Sequence, residues 1–323
     1  MMKKALVVLL LAAFVVPAFA DDAITLPQGV MRTRVIPSMT IVNQVFDDSG
    51  DRQDTVIAAP GLGTASSVTL YTLSFAVEYG ITDWLTAGVQ WVPGWRFASN
   101  IDFETLAPND NVVSTGVSDL FVGAKMQILG PRALVPNQQV RFAVTPGIKI
   151  PLSSYDNESE TDNFAAGDDF RLSGTDRGAF GLGGRLAFDY LITPDFYINV
   201  YNQSTFFLET EKDLSFGAPD VKVQYGPELI FEVEAAYSMD LGGGIRLGLG
   251  LPVTYQWTGE TKIEGTGADD VAWTFGVGPN VSLFFTQWAL PMEFELGYSV
   301  ALMGENANAA NTISLQIKNF LRF

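Results

Sequence analysis

The chain has 323 residues, carries 36 acidic and 19 basic side chains for a formal net charge of −17, and contains neither histidine nor cysteine. The acidic balance argues against nucleic acid as a partner, because binding to phosphates depends on a basic surface. The missing histidines and cysteines exclude disulfides, thiolate metal sites, and catalytic or metal sites that need imidazole. We therefore expect no enzyme activity, and we predict no cofactor and no metal site.

The first 20 residues are typical of a cleaved export signal. Lys3 and Lys4 form a basic start, residues 5–16 are apolar, and Ala18-Phe19-Ala20 fits the small-residue cleavage pattern. The apolar run is too short to cross a bilayer as a helix. We expect a signal peptide over residues 1–20 and a single domain over residues 21–323.

The rest of the chain alternates between apolar and polar residues, as half-buried strands do. Twelve stretches place bulky apolar residues on one face and small or polar residues on the other. They cover residues 30–46, 67–79, 84–97, 116–128, 139–151, 178–191, 196–210, 221–237, 245–260, 271–286, 291–302 and 311–323. None of them shows the period of 3.6 residues that marks an amphipathic helix.

The connections between these stretches alternate in length. Short ones fall at residues 80–83, 129–138, 192–195, 238–244 and 286–290. Long ones fall at residues 47–66, 98–115, 152–177, 211–220, 261–270 and 303–310. Short turns on one side and long loops on the other are typical of bacterial outer-membrane barrels. We predict an all-β fold: an antiparallel transmembrane β-barrel of about 12 strands, with ten or fourteen strands as the alternatives.

The final stretch combines alternation with a terminal aromatic residue. Its outward positions are Ile313, Leu315, Ile317, Leu321 and Phe323, with Asn319 as the exception. A phenylalanine that closes an alternating last strand is typical of the assembly signal of outer-membrane barrels. We predict that Phe323 and Leu321 are recognised by the barrel-assembly machinery and that the protein resides in the lipid of the outer membrane.

Two segments carry a family resemblance: residues 78–89 (EYGITDWLTAGV), running on to Pro93, and residues 116–125 (GVSDLFVGAK). Together they resemble the barrel proteins grouped as the meta-pathway of phenol degradation family, distant relatives of the long-chain fatty-acid transporters. The resemblance spans roughly residues 67–300. It implies an outer-membrane location and uptake of hydrophobic or aromatic compounds.

The strand pattern directs eleven basic and seven acidic side chains into the lumen. The basic ones are Arg32, Arg34, Arg96, Lys125, Arg141, Lys149, Arg185, Lys222, Arg246, Lys318 and Arg322. The acidic ones are Glu78, Asp189, Glu228, Glu232, Glu234, Glu293 and Glu295. Such residues are candidates for a constriction that contacts a solute, because charges lining a pore set its selectivity. The alternative is that they only pair with one another, as buried charges usually do.

Prolines interrupt several of the predicted strands, and the Trp91-Val92-Pro93-Gly94-Trp95 run is the clearest case. Proline donates no ladder hydrogen bond, so it implies a bulge or a broken bond in the wall. We predict Pro93 and Gly94 as a lateral gate. The alternative is that they only set the curvature of a tilted barrel.

These patterns predict an outer-membrane channel or transporter for small molecules, of porin-like or hydrophobic-uptake type. Its expected partners are a small-molecule solute, membrane lipid and the assembly machinery. The alternative is a closed structural or adhesive barrel that acts through its acidic loops, such as residues 156–169.

Overall fold

A strand that separates lipid from a polar interior places alternate side chains on opposite faces, and this rule organises the chain from Val30 onward. The computed structural model describes residues 22–54, 57–59, 63–65, 67–99, 112–155, 157–171, 174–212 and 220–323. The predicted signal peptide lies outside these residues.

Twelve long strands form a closed antiparallel barrel, which confirms the predicted fold class and strand number. They are β1 Val30–Phe46, β2 Val68–Thr82, β3 Leu85–Ser99, β4 Val112–Val117 with Leu120–Gly130, β5 Val140–Ile150, β6 Gly181–Leu191, β7 Phe196–Phe207, β8 Glu228–Gly242, β9 Ile245–Thr258, β10 Ala272–Val277 with Asn280–Phe285, β11 Met292–Glu305 and β12 Ala307–Arg322. Each strand pairs with the next along the chain.

The barrel closes where β12 returns to β1. The two strands pair from Val30 opposite Arg322 to Phe46 opposite Ala307. Thr33 and Asn319 are 286 positions apart in the chain, and their side chains share a 2.8 Å hydrogen bond across this seam. Among the described residues, the barrel wall has no edge strand, as a membrane barrel requires.

The connections carry the remaining elements. At the end opposite to the start of β1, the loops hold helix α1 (Asn157–Ala166), the short strands Arg52–Gln53, Ile57–Ala59, Gly63–Ala65 and Phe170–Arg171, and a small sheet of Thr210–Lys212, Val221–Gln224, Lys262–Ile263 and Thr266–Gly267. Val135–Pro136 lies in a turn at the other end. By the outer-membrane pattern the short turns face the periplasm. No helix in the described part of the chain is long and apolar enough to cross a membrane.

Two predicted boundaries were wrong. The expected long loop at residues 303–310 is strand, because β11 and β12 are joined by Asn306 alone, in a left-handed conformation with φ of 49°. The eighth strand begins at Glu228, because Val221–Gln224 pairs with neighbouring loop strands instead of with the barrel. The alternation of apolar and polar residues continues into loop strands that pair outside the barrel. This alternation therefore does not show where a barrel strand begins or ends.

The outer face of the barrel is apolar. In β12, Ile313 is 46% exposed, whereas the neighbouring Thr312 and Ser314 are buried on the inner face. Tyr71, Trp95 and Phe97 form stacked contacts on the outer face of β2 and β3. An apolar surface that surrounds a closed barrel would be unstable in water, and it matches a lipid environment. The protein is built as an integral membrane β-barrel.

Residues 22–29 precede β1 and run along the inside of the barrel near its periplasmic end. Thr25 Oγ1 donates to the carbonyl oxygen of Asp83 at 2.6 Å and contacts Gln127 Oε1 at 2.9 Å. Ala23 is fully buried in a cluster with Ala143, Ala187 and Tyr201.

Residues 22–29 can pass close to Gly80 only because glycine has no side chain. An added Cβ atom at this position would lie 2.1 Å from the carbonyl oxygen of Pro27. We call residues 22–29 the N-terminal segment; the strand pattern did not reveal that it enters the lumen.

Candidate functional site

Two cavities within the described part of the barrel lumen concern the site. The outer cavity has a volume of about 120 Å³, and the periplasmic cavity has a volume of about 550 Å³. Arg34 and Gln316 line both cavities, so these two residues mark the boundary between them. The N-terminal segment lines the periplasmic cavity through Asp22 and residues 24–27.

The wall of β11, β12, β1 and β2 carries a compact set of ion pairs on the periplasmic side. Arg32 Nε lies 2.7 Å from Glu78 Oε2, and Arg34 Nη2 lies 3.5 Å from the same oxygen. Lys318 Nζ contacts Glu293 Oε1 at 3.1 Å and Glu295 Oε2 at 3.0 Å.

The pairs form because the antiparallel register places Arg32 opposite Glu78 and Glu293 opposite Lys318. We call these six residues the paired belt: Arg32, Arg34, Glu78, Glu293, Glu295 and Lys318.

Other predicted lumen charges are satisfied elsewhere on the wall. Arg141 Nη1 lies 3.6 Å from Asp189 Oδ2, and Lys125 Nζ donates to the carbonyl oxygen of Asp22 at 2.9 Å. Lys125 therefore holds the N-terminal segment rather than facing an open channel.

Two glutamates of β8 also turn inward. Glu232 is fully buried and accepts a 2.9 Å hydrogen bond from Thr254, and Glu234 accepts one of 2.8 Å from Asn280. Both bonds tie β8 to the strands that follow it in the wall.

The outer cavity is narrowed by the loop between β5 and β6. Its residues Asp176 and Arg177 fold inward and meet charges of the wall. Lys149 Nζ lies 3.0 Å from Asp176 Oδ1, and Arg177 Nε lies 3.1 Å from Glu228 Oε1. Sequence patterns missed both loop residues, since alternation carries no information about a loop that folds back.

Asp119 fixes that loop in place. It lies in the break between the two segments of β4 and is 1% exposed. Its Oδ1 atom accepts hydrogen bonds of 3.0 Å from the backbone N–H groups of Leu152 and Ser153, and its Oδ2 atom accepts one of 2.9 Å from Gly178. A buried carboxylate that receives three N–H groups is a strong anchor.

Arg185 has a different environment from the other lumen cations. Its Nε atom donates to Gln203 Oε1 at 2.9 Å, and its Nη1 atom donates to Gln90 Oε1. The guanidinium lies over the Phe121 ring, 4.1 Å from the ring centroid. Among the described residues, no carboxylate lies within ion-pair distance of it. Arg96, also inward, donates to the carbonyl oxygen of Thr175 in the inward-folded loop.

The wall is interrupted at the predicted gate. Strand β3 pairs with one segment of β4 through Trp95–Ala98 and with the other through Leu85–Gln90, so residues 91–94 have no ladder partner on that side. On the other side, Phe75 pairs with Trp91 and Leu73 with Trp95, which leaves Val92, Pro93 and Gly94 opposite Ser74 alone. Val92 and Pro93 line the outer cavity.

Side-chain hydrogen bonds and one isolated backbone bond seal this bulge in place of a regular ladder. Ser118 accepts from Gly94 N through its Oγ atom at 2.8 Å, and its backbone N donates to Gly94 O at 2.8 Å. Ser74 Oγ donates to Pro93 O at 2.8 Å. Gly94 has φ of 76°, and an added Cβ atom would lie 2.2 Å from the carbonyl oxygen of Leu73, so only glycine fits.

Three predicted residues lie away from these contacts. Lys222 was predicted to face the lumen, and this was wrong: it lies exposed in the loop sheet and contacts Glu209 at 3.4 Å. Arg246 is exposed at the periplasmic end, where it lines the cavity and donates to Ser238 at 2.9 Å. Arg322 is exposed at the end of β12.

The chain ends beside the start of β1, where Phe323 N donates to Gly29 O at 2.9 Å and Leu321 lies opposite Met31. Phe323 is 79% exposed, so its ring is accessible from outside the barrel. The role of Phe323 and Leu321 as an assembly signal stays a prediction.

A closed barrel with an apolar outer face and a charged, partly filled lumen defines an outer-membrane β-barrel protein. The model of the family described as "Putative MetA-pathway of phenol degradation" matches residues 46–317, and the chain belongs to this family. The resemblance predicted from the sequence is therefore confirmed.

Solved structures with a similar fold include an outer-membrane channel from Pseudomonas putida F1. It is 16% identical, with a TM-score of 0.66, over 94% of this chain and 100% of that chain. A FadL homologue from Pseudomonas aeruginosa is 10% identical, with a TM-score of 0.40, over 91% of this chain and 90% of that chain. No curated protein matches the sequence of this chain. The likeness to the channel from Pseudomonas putida F1 shows that the two proteins share a fold.

Proposed function

We propose that the protein is an outer-membrane channel for small hydrophobic or aromatic molecules. A solute reaches the outer cavity from the extracellular mouth and leaves sideways, through the bulge at Val92–Gly94, into the membrane. The observation that carries this proposal is the coincidence of the outer cavity with the break in the β3–β4 ladder. No catalytic role is proposed for any lumen residue.

The axial route continues from the outer cavity into the periplasmic cavity, whose lining includes the N-terminal segment and charged residues of the paired belt. The N-terminal segment is held against the inner wall by Thr25 and Leu26, the latter through a 2.9 Å bond from its N–H to Thr86 Oγ1. Apart from Glu78, the paired belt lines the same cavity. An apolar solute is stabilised by about 25 cal/mol for each Å² of its apolar surface that is removed from water. A path lined by charged groups does not provide this stabilisation.

The lateral route suits such a solute better. Val92 and Pro93 present apolar surface to the cavity, and the stacked rings of Phe75 and Trp91 flank the bulge on the wall. Four hydrogen bonds, donated by Ser74 Oγ, Ser118 N, Gly94 N and Trp91 Nε1, close the bulge where a regular wall would have a continuous ladder. The seal therefore depends on a few side chains beside the cavity rather than on the backbone ladder of the wall. The description of the family, which names phenol degradation, agrees with an aromatic solute.

The test is to fill the bulge from the lumen side with Val92→Trp. Uptake of radiolabelled toluene is measured in Gram-negative cells that carry the protein in the outer membrane. We expect uptake to fall toward the level of cells without the protein, because the indole blocks the exit beside Pro93. Ion conductance of the same variant in planar bilayers should stay close to that of the original protein, since ions follow the axial route.

Leu251→Trp is the matched control, because Leu251 is exposed on the lipid face of β9. It adds the same bulk without entering the lumen, and we expect unchanged toluene uptake. If the original protein raises toluene uptake no more than an empty membrane does, the channel proposal fails. A closed structural or adhesive barrel would then be the better interpretation.

A further inference from the structure

We infer that Arg185 anchors a subsite in the outer cavity for the carboxylate of a small aromatic acid. The inference rests on the proposed channel function and names a class of solute for it. Benzoate represents that class: one aromatic ring and one carboxylate.

The charge balance of the cavity favours an anion. Its lining contains five basic side chains, Arg34, Arg96, Lys149, Arg177 and Arg185, and three acidic ones, Asp119, Asp176 and Glu228. The three carboxylates are engaged by Lys149, by Arg177 and by the backbone N–H groups of the inward-folded loop. Arg34 shares Glu78 with Arg32. The excess charge is therefore positive, and it lies where a solute enters.

Arg185 is the cation best placed to receive a carboxylate. Its residue is 9% exposed and lines the cavity. Glutamine oxygens accept from Nε and Nη1, and among the described residues nothing accepts from Nη2. A buried guanidinium whose only partners are neutral has lost hydration without gaining a counter-charge, so an incoming carboxylate is strongly favoured.

The neighbours of Arg185 hold it ready for such a ligand. Phe121 supports one face of the guanidinium, and Gln203 and Gln90 fix the direction of the remaining donors. Because the guanidinium of Arg185 is already held in one orientation, it loses little conformational freedom when a carboxylate binds.

The size and apolar lining of the cavity suit an aromatic ring. Its volume of about 120 Å³ is comparable to the apolar cavities of about 150 Å³ that accept benzene. Val92, Pro93 and Trp257 line it as well. The acid group of the solute would thus contact Arg185 while its ring lies on the side of the cavity that leads to the bulge.

The experiment compares benzoate with benzamide, its uncharged counterpart of nearly equal shape. Binding of each to the detergent-refolded protein is measured by isothermal titration calorimetry. We expect the original protein to prefer benzoate, and Arg185→Gln to weaken benzoate binding by about 10- to 100-fold while leaving benzamide binding unchanged, because only a charge-assisted pair is lost. Arg185→Lys should be intermediate, since it keeps the charge but not the planar fork.

Arg246→Gln is the control, because it removes the same charge from the periplasmic end and not from the outer cavity. It should bind benzoate as the original protein does. Equal affinities of the original protein for benzoate and benzamide would overturn the inference without any variant, even if Arg185→Gln failed to fold. Retained benzoate binding in folded Arg185→Gln would overturn it too.

The outcome is separable from that of the channel proposal. Toluene carries no charge, so its uptake should not depend on Arg185. If toluene uptake is normal and benzoate shows no preference for Arg185, only the carboxylate subsite is wrong. If toluene uptake is absent, the channel function fails, whatever benzoate does in the calorimeter.

Discussion

The two halves of the lumen satisfy their charges in different ways. In the periplasmic half, the paired belt joins side chains of neighbouring strands across the ladder, as Lys318 does with Glu293 and Glu295. In the outer half, the inward-folded loop supplies the nearest partner of Lys149, and among the described residues the partners of Arg185 are all neutral. Charges paired within the wall hold the barrel together, whereas a charge left without a counter-ion beside a cavity is available to a solute.

The largest expected effect lies in the paired belt. Lys318→Met leaves Glu293 and Glu295 side by side in the lumen without their cation, which should lower the free energy of unfolding by about 3 kcal/mol. Urea unfolding of the refolded protein in lipid vesicles measures the change. Arg246→Met is the control and should shift stability by less than about 0.5 kcal/mol, because that side chain is exposed. Equal shifts in the two variants would remove the distinction between the halves.

A smaller effect on stability is expected for Asp119, which anchors the inward-folded loop between β5 and β6. Asp119→Asn keeps one acceptor oxygen but places an amide group against an N–H donor, at a cost of about 1–2 kcal/mol. The loss should be local: amide hydrogen exchange of Leu152, Ser153 and Gly178 should accelerate, while that of the periplasmic wall stays slow. Asp195→Asn, in an exposed turn, serves as the control. Uniform acceleration across the barrel would contradict a loop-specific role.

The smallest effect on stability is expected for Asp47, whose carboxylate lies in the loop after β1 and outside the barrel. Hydrogen bonds from the Gln53 side chain and the Ser49 backbone lower the pKa of Asp47 from its ordinary value of 3.8. Because the pKa of Asp47 is lower in the folded protein than in the unfolded chain, its ionised carboxylate stabilises the loop at every pH above the unfolded-state pKa. This stabilisation is lost as the pH falls through the folded-state pKa. Exchange of the Ser49 and Asp51 amides should therefore accelerate only in strong acid, and Asp47→Asn should remove this pH dependence.

Most of the wall was predictable, because lipid on one side and a lumen on the other impose a strict alternation on every strand. That pattern alone predicts the inward positions of Arg32, Glu78 and Lys318. The antiparallel register then places Arg32 opposite Glu78, and Lys318 opposite Glu293. The same logic failed for Lys222, which alternates correctly but sits in a paired loop strand above the membrane.

The filling of the lumen was not predictable from alternation. Asp22, Asp176 and Arg177 belong to segments without a regular period, and their positions depend on side chains far away in the chain. Asp119 looks like one more polar residue beside a strand, and only the three backbone groups that it receives reveal its role. Contacts of this kind are set by the assembled barrel rather than by local sequence.

The seam between β1 and β12 has a kinetic consequence. Residues as far apart in the chain as Thr33 and Asn319 must meet before it forms, and contacts of such long separation are made late and slowly. Until that moment both strands present bare N–H and C=O groups, which hydrocarbon cannot satisfy. Insertion into lipid and circular closure are thus coupled events, and β12 is the strand whose arrival completes them.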